Sequence, residues 1–189
     1  MLKVLIATDI FGYGDVLQSL IDCLQNAGVT VQTVDPYQGR LQQFDTELSA
    51  YQAFIAQTGH DGYTQGVTQA LTQQPNLAIG FSAGASALWR AVADVKPLSI
   101  KNLVLFYPGQ LHLHQDKSPN IATELIFGEQ EHHFNVDDML QQLSANTTIS
   151  ANKTVYQHGF MNSASPAFND VAYQYGLQRL LQVITRLKQ

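Results

Sequence analysis

Short apolar runs alternate with amphipathic stretches along the whole chain. A short, continuous apolar run is typical of a strand that is covered on both faces of a sheet. Such runs predict the strands Val4–Ala7, Val29–Val34, Leu77–Phe81, Leu103–Tyr107, Glu124–Phe127 and Thr154–Tyr156. Because helices are expected between successive strands, the chain should form parallel βαβ units in a three-layer α/β sandwich.

The helices are predicted from apolar residues that recur every three or four positions. The segments are Val16–Leu24, a stretch marked by Phe44, Leu48, Tyr51 and Ile55, and then Tyr63–Leu71, Ala83–Val95 and Val136–Leu143. A last helix should run from Ala167 to about Leu187, because Ser165-Pro166 forms a favourable N-cap and first turn. Gly109–Asn120 has no regular pattern and is expected to be a loop that lines a site.

Composition narrows the class of protein. The 189 residues and a hydrophobic content of 45% suit one domain with a substantial core, and no linker divides residues 1–189. A net charge of −5 argues against nucleic acid as a partner, since such binding needs clustered Lys and Arg. No apolar run approaches the roughly 20 residues of a membrane span. Leu2–Ala7 is too short for a signal-peptide core and Cys23 is the only cysteine, so we expect a cytoplasmic protein.

Gly80-Phe81-Ser82-Ala83-Gly84 has the form G-x-S-x-G. The segment lies where an apolar strand passes directly into a helical pattern, which is the position of a nucleophile elbow. Ser82 would stand at the N-terminus of that helix, where developing negative charge is stabilised. The alternative that the motif leaves open is a tight strand–helix turn capped by a serine.

A serine nucleophile needs a base, and the base needs an acid that orients it. Glu131 follows the Glu124–Phe127 run, and His158 follows the Thr154–Tyr156 run. Both residues are therefore expected at carboxyl ends of strands, the edge where open α/β sheets place their sites. Asp137 and Asp138 are further candidates for the acid, and the residues alone leave that choice open.

Five segments in one order resemble the dienelactone hydrolase family. They are Asp9-Ile10-Phe11-Gly12, Val34–Arg40, Gly80–Ala85, Phe127–Phe134 and His158-Gly159-Phe160. The resemblance implies an α/β-hydrolase fold with a mostly parallel six-stranded sheet, and Ser82 as nucleophile, His158 as base and Glu131 as acid. It also implies an oxyanion hole formed by the backbone N–H groups of Ile10 and Ala83, and no cofactor.

The chain departs from the family pattern around the expected site. Ser82 replaces the cysteine of the dienelactone-cleaving members, Glu131 replaces an Asp, and Asn162 stands at the position of a substrate-binding Arg. Asp9 stands where the cysteine enzymes have a Glu beside the nucleophile. Further residues expected to line the site are Phe11, Tyr37, Arg40, Phe81, Tyr107, Phe134 and Phe160. The expected substrate is a small, uncharged carboxylic ester or lactone.

Two other functions compete with a serine hydrolase. His112, His114 and Asp116 resemble the HxHxD run of metal-dependent hydrolases, although Lys117 stands where that run needs another histidine. The second alternative is a non-catalytic binding protein with an α/β-hydrolase-like fold. A complete set of candidate nucleophile, base and acid argues against it.

Overall fold

The centre of the molecule is a sheet of six parallel strands. The computed structural model describes residues 1–95 and 99–189. The strands are β1 (Lys3–Ala7), β2 (Thr30–Val34), β3 (Leu77–Phe81), β4 (Asn102–Phe106), β5 (Ala122–Phe127) and β6 (Ile149–Lys153). They lie in the order β2-β1-β3-β4-β5-β6, with every neighbouring pair parallel.

Helices cover both faces of this sheet. They are α1 (Asp15–Asn26), α2 (Glu47–Gln57), α3 (Gly59–Leu71), α4 (Ala83–Asp94), α5 (Val136–Leu143) and α6 (Asp170–Leu187), with a 3-10 turn at Leu111–Leu113. Successive side chains of a strand point to opposite faces. Leu5 and Ala7 of β1 therefore pack in one core with α2 to α5, and Val4 and Ile6 pack in the other core with α1 and α6. The three-layer prediction is confirmed.

The central strands are the ones that the apolar runs identify. In β1, β3, β4 and β5 nearly every residue is buried, as expected for a parallel strand between two layers of helices. Their carboxyl ends meet at one edge of the sheet. The segments after these strands contribute Asp9, Ser82, Tyr107 and Glu131 to that edge.

Two predicted boundaries are wrong near the carboxyl end. The sixth strand is Ile149–Lys153 rather than Thr154–Tyr156. It is an edge strand whose residues are half-buried or exposed, so its sequence carries no continuous apolar run. The last helix begins at Asp170 rather than Ala167, because the Asn169 side chain accepts a hydrogen bond from the N–H of Ala172.

The apolar residues that mark α2 lie on its outer side. Leu48, Tyr51 and Ile55 are 65%, 43% and 46% exposed, whereas Ala50 and Phe54 are fully buried. This arrangement gives α2 an apolar outer surface. No helix in the described part of the chain is both long and apolar enough to cross a membrane.

Candidate active site

The turn from β3 to α4, Gly80–Gly84, holds Ser82 in a strained backbone conformation. Ser82 has φ 48° and ψ −111°, a left-handed φ that is costly for a residue with a side chain. Its N–H donates to the carbonyl oxygen of Phe106 at 3.0 Å, which ties the turn to β4. We refer to Gly80–Gly84 as the Ser82 turn.

Both glycines of the Ser82 turn are required by the close approach of other backbone atoms. A Cβ atom on Gly80 would lie 2.6 Å from the Cα of Ala85. A Cβ on Gly84 would overlap the carbonyl oxygens of Ala7 and Thr8, at the end of β1. Only glycine allows α4 to approach β1 this closely, so these contacts fix the position of Ser82.

A continuous line of hydrogen bonds joins Ser82, His158 and Glu131. Ser82 Oγ lies 2.8 Å from His158 Nε2, and His158 Nδ1 lies 2.6 Å from Glu131 Oε2. The Glu131 side chain is only 2% exposed, and its Oε1 accepts from the N–H of Gly128 at 3.3 Å. The structure thus brings together the three residues that the sequence selects.

Within the described residues, neither of the two other acidic candidates forms a hydrogen bond with His158. Asp137 and Asp138 lie in the first turn of α5, where their N–H groups donate to the Asn135 side chain. Asp137 also forms an ion pair with Lys153. Among these carboxylates, Glu131 is the one that binds the imidazole.

His158 is held in a narrow space between loops. Its ring packs on the Tyr107 ring, with centroids 4.9 Å apart. Tyr107 is fully buried and has φ 39°. On another side a Cβ on Gly128 would lie 3.0 Å from the backbone N of His158. The His158 side chain remains 16% exposed, so the imidazole reaches the surface of the site.

Two backbone N–H groups are free beside Ser82. Within the described residues, neither the N–H of Ile10 nor that of Ala83 donates to a protein acceptor. For Ala83 this follows from its position at the start of α4, where N–H groups lack partners inside the helix. Ile10, Ala83 and Ser82 all line the same cavity. Two donors beside a hydroxyl can bind an oxygen that carries negative charge.

The cavity at Ser82 has a volume of about 270 Å³. Leu48 and Tyr51 of α2 form an apolar wall, and the imidazoles of His60, His132 and His133 line other parts of it. Its carboxylates are those of Glu47 and Glu131, and within the described residues no lysine or arginine lines it. The cavity therefore offers apolar contacts and no fixed positive charge.

The sequence pattern does not indicate several of the residues that line the cavity. Leu48 and Tyr51 were assigned to a helix without a role in the site, and His132 and His133, which lie in the Phe127–Phe134 segment, were not expected to line the cavity. No signal in the sequence indicates that His60 of α3 reaches the cavity.

The additional residues expected to line the site lie around the cavity rather than in its lining. Phe81, Tyr107 and Phe160 are buried and pack on one another in the core of α1 and α6. Phe134 stacks on His112 with centroids 5.4 Å apart. Apolar rings at strand ends favour the core over the rim, since burial removes more of their surface from water. Phe81, Tyr107, Phe134 and Phe160 therefore do not line the cavity at Ser82.

The remaining expected residues support the loop that follows β1. Tyr37 is fully buried and its hydroxyl donates to the carbonyl oxygen of Ile10 at 2.6 Å. Arg40 donates through Nε to the carbonyl oxygen of Tyr37 at 3.1 Å. Phe11 is half-buried, and its N–H donates to Asp9 Oδ1 at 3.0 Å. None of these three residues lines the cavity at Ser82.

Asp9 is a buried carboxyl group behind the site. Its Oδ2 accepts from the Asn162 side-chain amide at 2.7 Å. Burial raises the pKa of Asp9 to about 6, although the hydrogen bonds from Asn162 and from the N–H of Phe11 oppose the rise. The Asn162 side chain is thus engaged with Asp9.

The loop that contains the predicted metal ligands His112, His114 and Asp116 forms packing contacts. His112 stacks on His133 with centroids 5.8 Å apart, and the carbonyl oxygen of His114 accepts from the Trp89 indole at 3.1 Å. Burial and the nearby Arg90 lower the pKa of His114. Across residues 1–95 and 99–189, no group of three His, Cys, Asp or Glu side chains is arranged to hold a metal ion.

The fold is similar to solved hydrolase structures at low sequence identity. A dienelactone hydrolase-like promiscuous phosphotriesterase from metagenomic libraries has a TM-score of 0.72 and 15% identity, over 99% of this chain and 87% of that chain. A candidate dienelactone hydrolase from Klebsiella pneumoniae has a TM-score of 0.74 and 17% identity, over 95% and 85% of the two chains. A candidate hydrolase of the alpha/beta superfamily from Xanthomonas campestris has a TM-score of 0.67 and 13% identity, over 98% and 99%.

These similarities concern the fold. No protein-family model matches the chain, and no curated protein matches it either. The chain has the α/β-hydrolase fold, as its resemblance to dienelactone hydrolases led us to expect.

Proposed function

We propose that this α/β-hydrolase-fold protein is a serine hydrolase that cleaves a small carboxylic ester or lactone through an acyl-Ser82 intermediate. The observation that carries the proposal is the unbroken hydrogen-bond line from Ser82 through His158 to Glu131 at the cavity. Structural neighbours described as dienelactone hydrolase-like and as an esterase are consistent with this reaction class. Residues 1–189 are proposed to act as one cytoplasmic domain.

In the acylation step, Ser82 Oγ attacks the carbonyl carbon of the substrate. His158 Nε2 takes the hydroxyl proton, and the resulting imidazolium is stabilised by Glu131, which accepts from Nδ1–H. The carbonyl oxygen becomes an oxyanion, which the N–H groups of Ile10 and Ala83 bind. His158 then gives its proton to the leaving alkoxide, the ester C–O bond breaks, and an acyl-Ser82 ester remains.

Deacylation repeats these steps with water. His158 Nε2 takes a proton from a water molecule, whose oxygen attacks the acyl carbon. The same two N–H groups bind the second oxyanion. The proton on His158 passes to Ser82 Oγ as the acyl–oxygen bond breaks, which releases a carboxylic acid and restores the enzyme.

The cavity favours short, uncharged substrates. A volume of about 270 Å³ suits a small acyl group, and the wall of Leu48 and Tyr51 offers it apolar contact. A substrate carboxylate would meet Glu47 without a lysine or arginine among the described lining residues. We expect p-nitrophenyl acetate and butyrate to be better substrates than the decanoate, and a neutral lactone to be better than its carboxylate-bearing analogue.

Labelling with a fluorophosphonate probe tests the mechanism. Wild-type protein should be labelled at Ser82 alone, and Ser82→Ala should abolish labelling and ester hydrolysis while the fold is kept. Ser86→Ala is a matched control, because Ser86 lines the same cavity but donates to the Ser82 carbonyl instead of His158. This variant should still be labelled at Ser82.

The same experiment distinguishes the competing functions. Hydrolysis that a chelator abolishes, and that survives in Ser82→Ala, would indicate a metal-dependent hydrolase. Absence of both labelling and hydrolysis in the folded wild-type protein would indicate a binding protein. Either result would overturn the proposed serine mechanism.

A further inference from the structure

The peptide unit that carries the Ile10 N–H is fixed by hydrogen bonds to its carbonyl. The carbonyl oxygen of Asp9 accepts from the N–H of Gly12 at 3.2 Å and from the Thr8 hydroxyl at 3.1 Å. A peptide bond is planar and trans, so the N–H of Ile10 points opposite to this carbonyl. The bonds that hold the Asp9 carbonyl therefore also set the direction of the Ile10 N–H.

The following peptide unit is held at both ends. The carbonyl oxygen of Ile10 accepts from the Tyr37 hydroxyl at 2.6 Å, and the N–H of Phe11 donates to Asp9 Oδ1 at 3.0 Å. The Tyr37 ring packs directly on the loop, since a Cβ on Gly12 would lie 2.7 Å from a ring carbon. The two peptide units that flank Ile10 thus have little freedom to rotate.

Tyr37 is itself rigidly placed and remains a donor. Its side chain is fully buried, and its backbone N–H donates to Asp35 Oδ1 at 2.7 Å. Burial, reinforced by the charges of Asp9 and Asp35, raises the pKa of Tyr37 to about 12. The hydroxyl is therefore protonated at any pH at which an esterase is assayed.

We infer that Tyr37 is a positioning residue. Its hydroxyl holds the Ile10–Phe11 peptide unit and thereby helps to direct the N–H of Ile10, in the adjacent unit, toward the oxyanion. The inference rests on the proposed serine hydrolase function and deepens it. Tyr37 touches neither Ser82 nor the cavity; it acts through the Ile10 carbonyl. Because the oxyanion forms only during reaction, a misplaced N–H should slow turnover and leave ground-state binding almost unchanged.

Tyr37→Phe tests this role, because it keeps the ring and removes only the donor. Loss of an entire oxyanion donor typically costs about 10²- to 10³-fold in kcat, so a displaced donor should cost roughly tenfold. With p-nitrophenyl acetate we expect kcat to fall about tenfold and KM to stay within about twofold. Hydrogen–deuterium exchange of the segment 8–12 should become faster.

Tyr63→Phe is the matched control. Tyr63 is equally buried, and its hydroxyl contacts the carbonyl oxygens of Thr8 and Val34 at 2.8 and 3.0 Å rather than that of Ile10. It also lies 3.4 Å from the Thr8 hydroxyl, which can still donate to the Asp9 carbonyl oxygen when the Tyr63 hydroxyl is removed. This variant loses a comparable buried donor, so any general loss of stability is shared. Its kcat should stay within about twofold of the wild-type value.

Thr8→Val provides a second variant in case Tyr37→Phe fails to fold. It removes the Thr8 bond to the Asp9 carbonyl and leaves the Gly12 bond, so kcat should fall about threefold at constant KM. The inference is overturned if folded Tyr37→Phe keeps kcat within twofold, if the loss is in KM, or if Tyr63→Phe loses as much. Where Tyr37→Phe does not fold, it is overturned if Thr8→Val keeps the wild-type kcat. A folded wild-type protein that neither hydrolyses esters nor reacts with the fluorophosphonate overturns the proposed function instead.

Discussion

The two sides of the candidate site are built from different interactions. The Ser82 turn is fixed by steric contact, since its glycines lie directly against the backbone of β1 and of α4. The loop between β6 and α6, residues 154–169, is anchored in the core by buried Phe160 and Met161 and is otherwise held by polar side chains. His158 is bound to Glu131, and Asn162 is bound to Asp9. After their proposed roles, we refer to the Ser82 turn as the nucleophile side, and to residues 154–169 with Glu131 and Asp9 as the base side. We infer that the nucleophile side tolerates no added volume, whereas the base side responds to changes in charge and hydrogen bonding.

The loop at residues 154–169 illustrates the second kind of support. The Thr154 hydroxyl donates to the carbonyl oxygen of Phe127 at 2.9 Å, and Asn162 Oδ1 accepts from the N–H of Ala164 at 2.9 Å. Ser165 is buried, and its hydroxyl accepts from the N–H of Ala167 at 3.2 Å. Each contact can be removed without adding an atom to the core.

The largest effect is expected at Gly84. In Gly84→Ala the added methyl group would overlap the carbonyl oxygens of Ala7 and Thr8, so α4 could no longer pack closely against β1. Overpacking of a close contact typically costs about 1–3 kcal/mol or more, and here the obstacle is backbone that cannot move aside. We expect little folded protein, or a strongly lowered Tm by circular dichroism.

Gly66→Ala is the control for this steric argument. Gly66 lies inside α3, and the nearest atom to an added Cβ is a Val34 methyl carbon at 4.0 Å. Since alanine favours helix over glycine by about 1 kcal/mol, this variant should be as stable as the wild type or more stable. Equal stability of the two variants would contradict the assignment of steric support to the Ser82 turn.

The second effect is on turnover at the base side. Glu131→Gln keeps the volume of the side chain but removes the charge that holds the imidazole. Loss of the acid in a Ser-His-acid site typically lowers kcat about 10⁴-fold, so we expect a loss of that order with the fold retained. The assay is p-nitrophenyl acetate hydrolysis together with thermal unfolding. Asp137→Asn is the control, and a large loss there with near-normal activity in Glu131→Gln would exclude Glu131 as the acid.

The elements around the site also differ in how clearly their sequences indicate their structure. The Ser82 turn was located because its strand and helix are both buried and give strong, local apolar patterns. The predicted position of β6 is wrong because an edge strand that is largely exposed needs no continuous apolar pattern. The apolar residues of α2 predict a helix but not which of its faces is buried, because a helix face at a cavity has the same composition as a face in the core.

Contacts between residues far apart in the sequence could not be predicted from the sequence pattern. The residues Asp9 and Asn162 are 153 positions apart, and Tyr37 reaches the Ile10 carbonyl from 27 positions away. Neither spacing produces a periodicity. The resemblance to dienelactone hydrolases singled out these residues but not their contacts. Their location behind the cavity wall emerges only when the sheet brings the loops together.

The third effect is on stability at the base side and concerns Asp9. Burial raises the pKa of Asp9 from 3.8 to about 6, so this group contributes stability below about pH 4 that is lost as the pH rises through 6. At 1.36 kcal/mol per pKa unit, the loss amounts to about 3 kcal/mol by pH 7.5. The free energy of unfolding of Asp9→Asn minus that of the wild type should therefore increase as the pH rises from 4.5 to 7.5.

Urea unfolding at several pH values measures this difference. The free energy of unfolding of Asp9→Asn should differ from that of the wild type by a constant amount, because the introduced amide and the Asn162 amide would both act as donors. Only the change of this difference with pH is therefore diagnostic. Exposed Asp45 supplies the control variant Asp45→Asn, whose curve should run parallel to that of the wild type. If Asp9→Asn also runs parallel, Asp9 is not held as a buried acid.

The smallest effect is expected at the cavity mouth, where neither steric contact nor buried hydrogen bonds act. Glu47 is exposed and lines the cavity, so it should repel an anionic acyl group. Exposed charge pairs are worth about 0.2–1 kcal/mol, which corresponds to roughly 1.5- to 5-fold in a rate ratio. Glu47→Gln should raise kcat/KM for p-nitrophenyl hemisuccinate relative to p-nitrophenyl acetate by that factor, and 0.5 M NaCl should reduce the difference. Asp45→Asn removes an equal charge outside the cavity and should leave the ratio unchanged; if both variants shift it equally, the net charge of the protein rather than Glu47 selects the substrate.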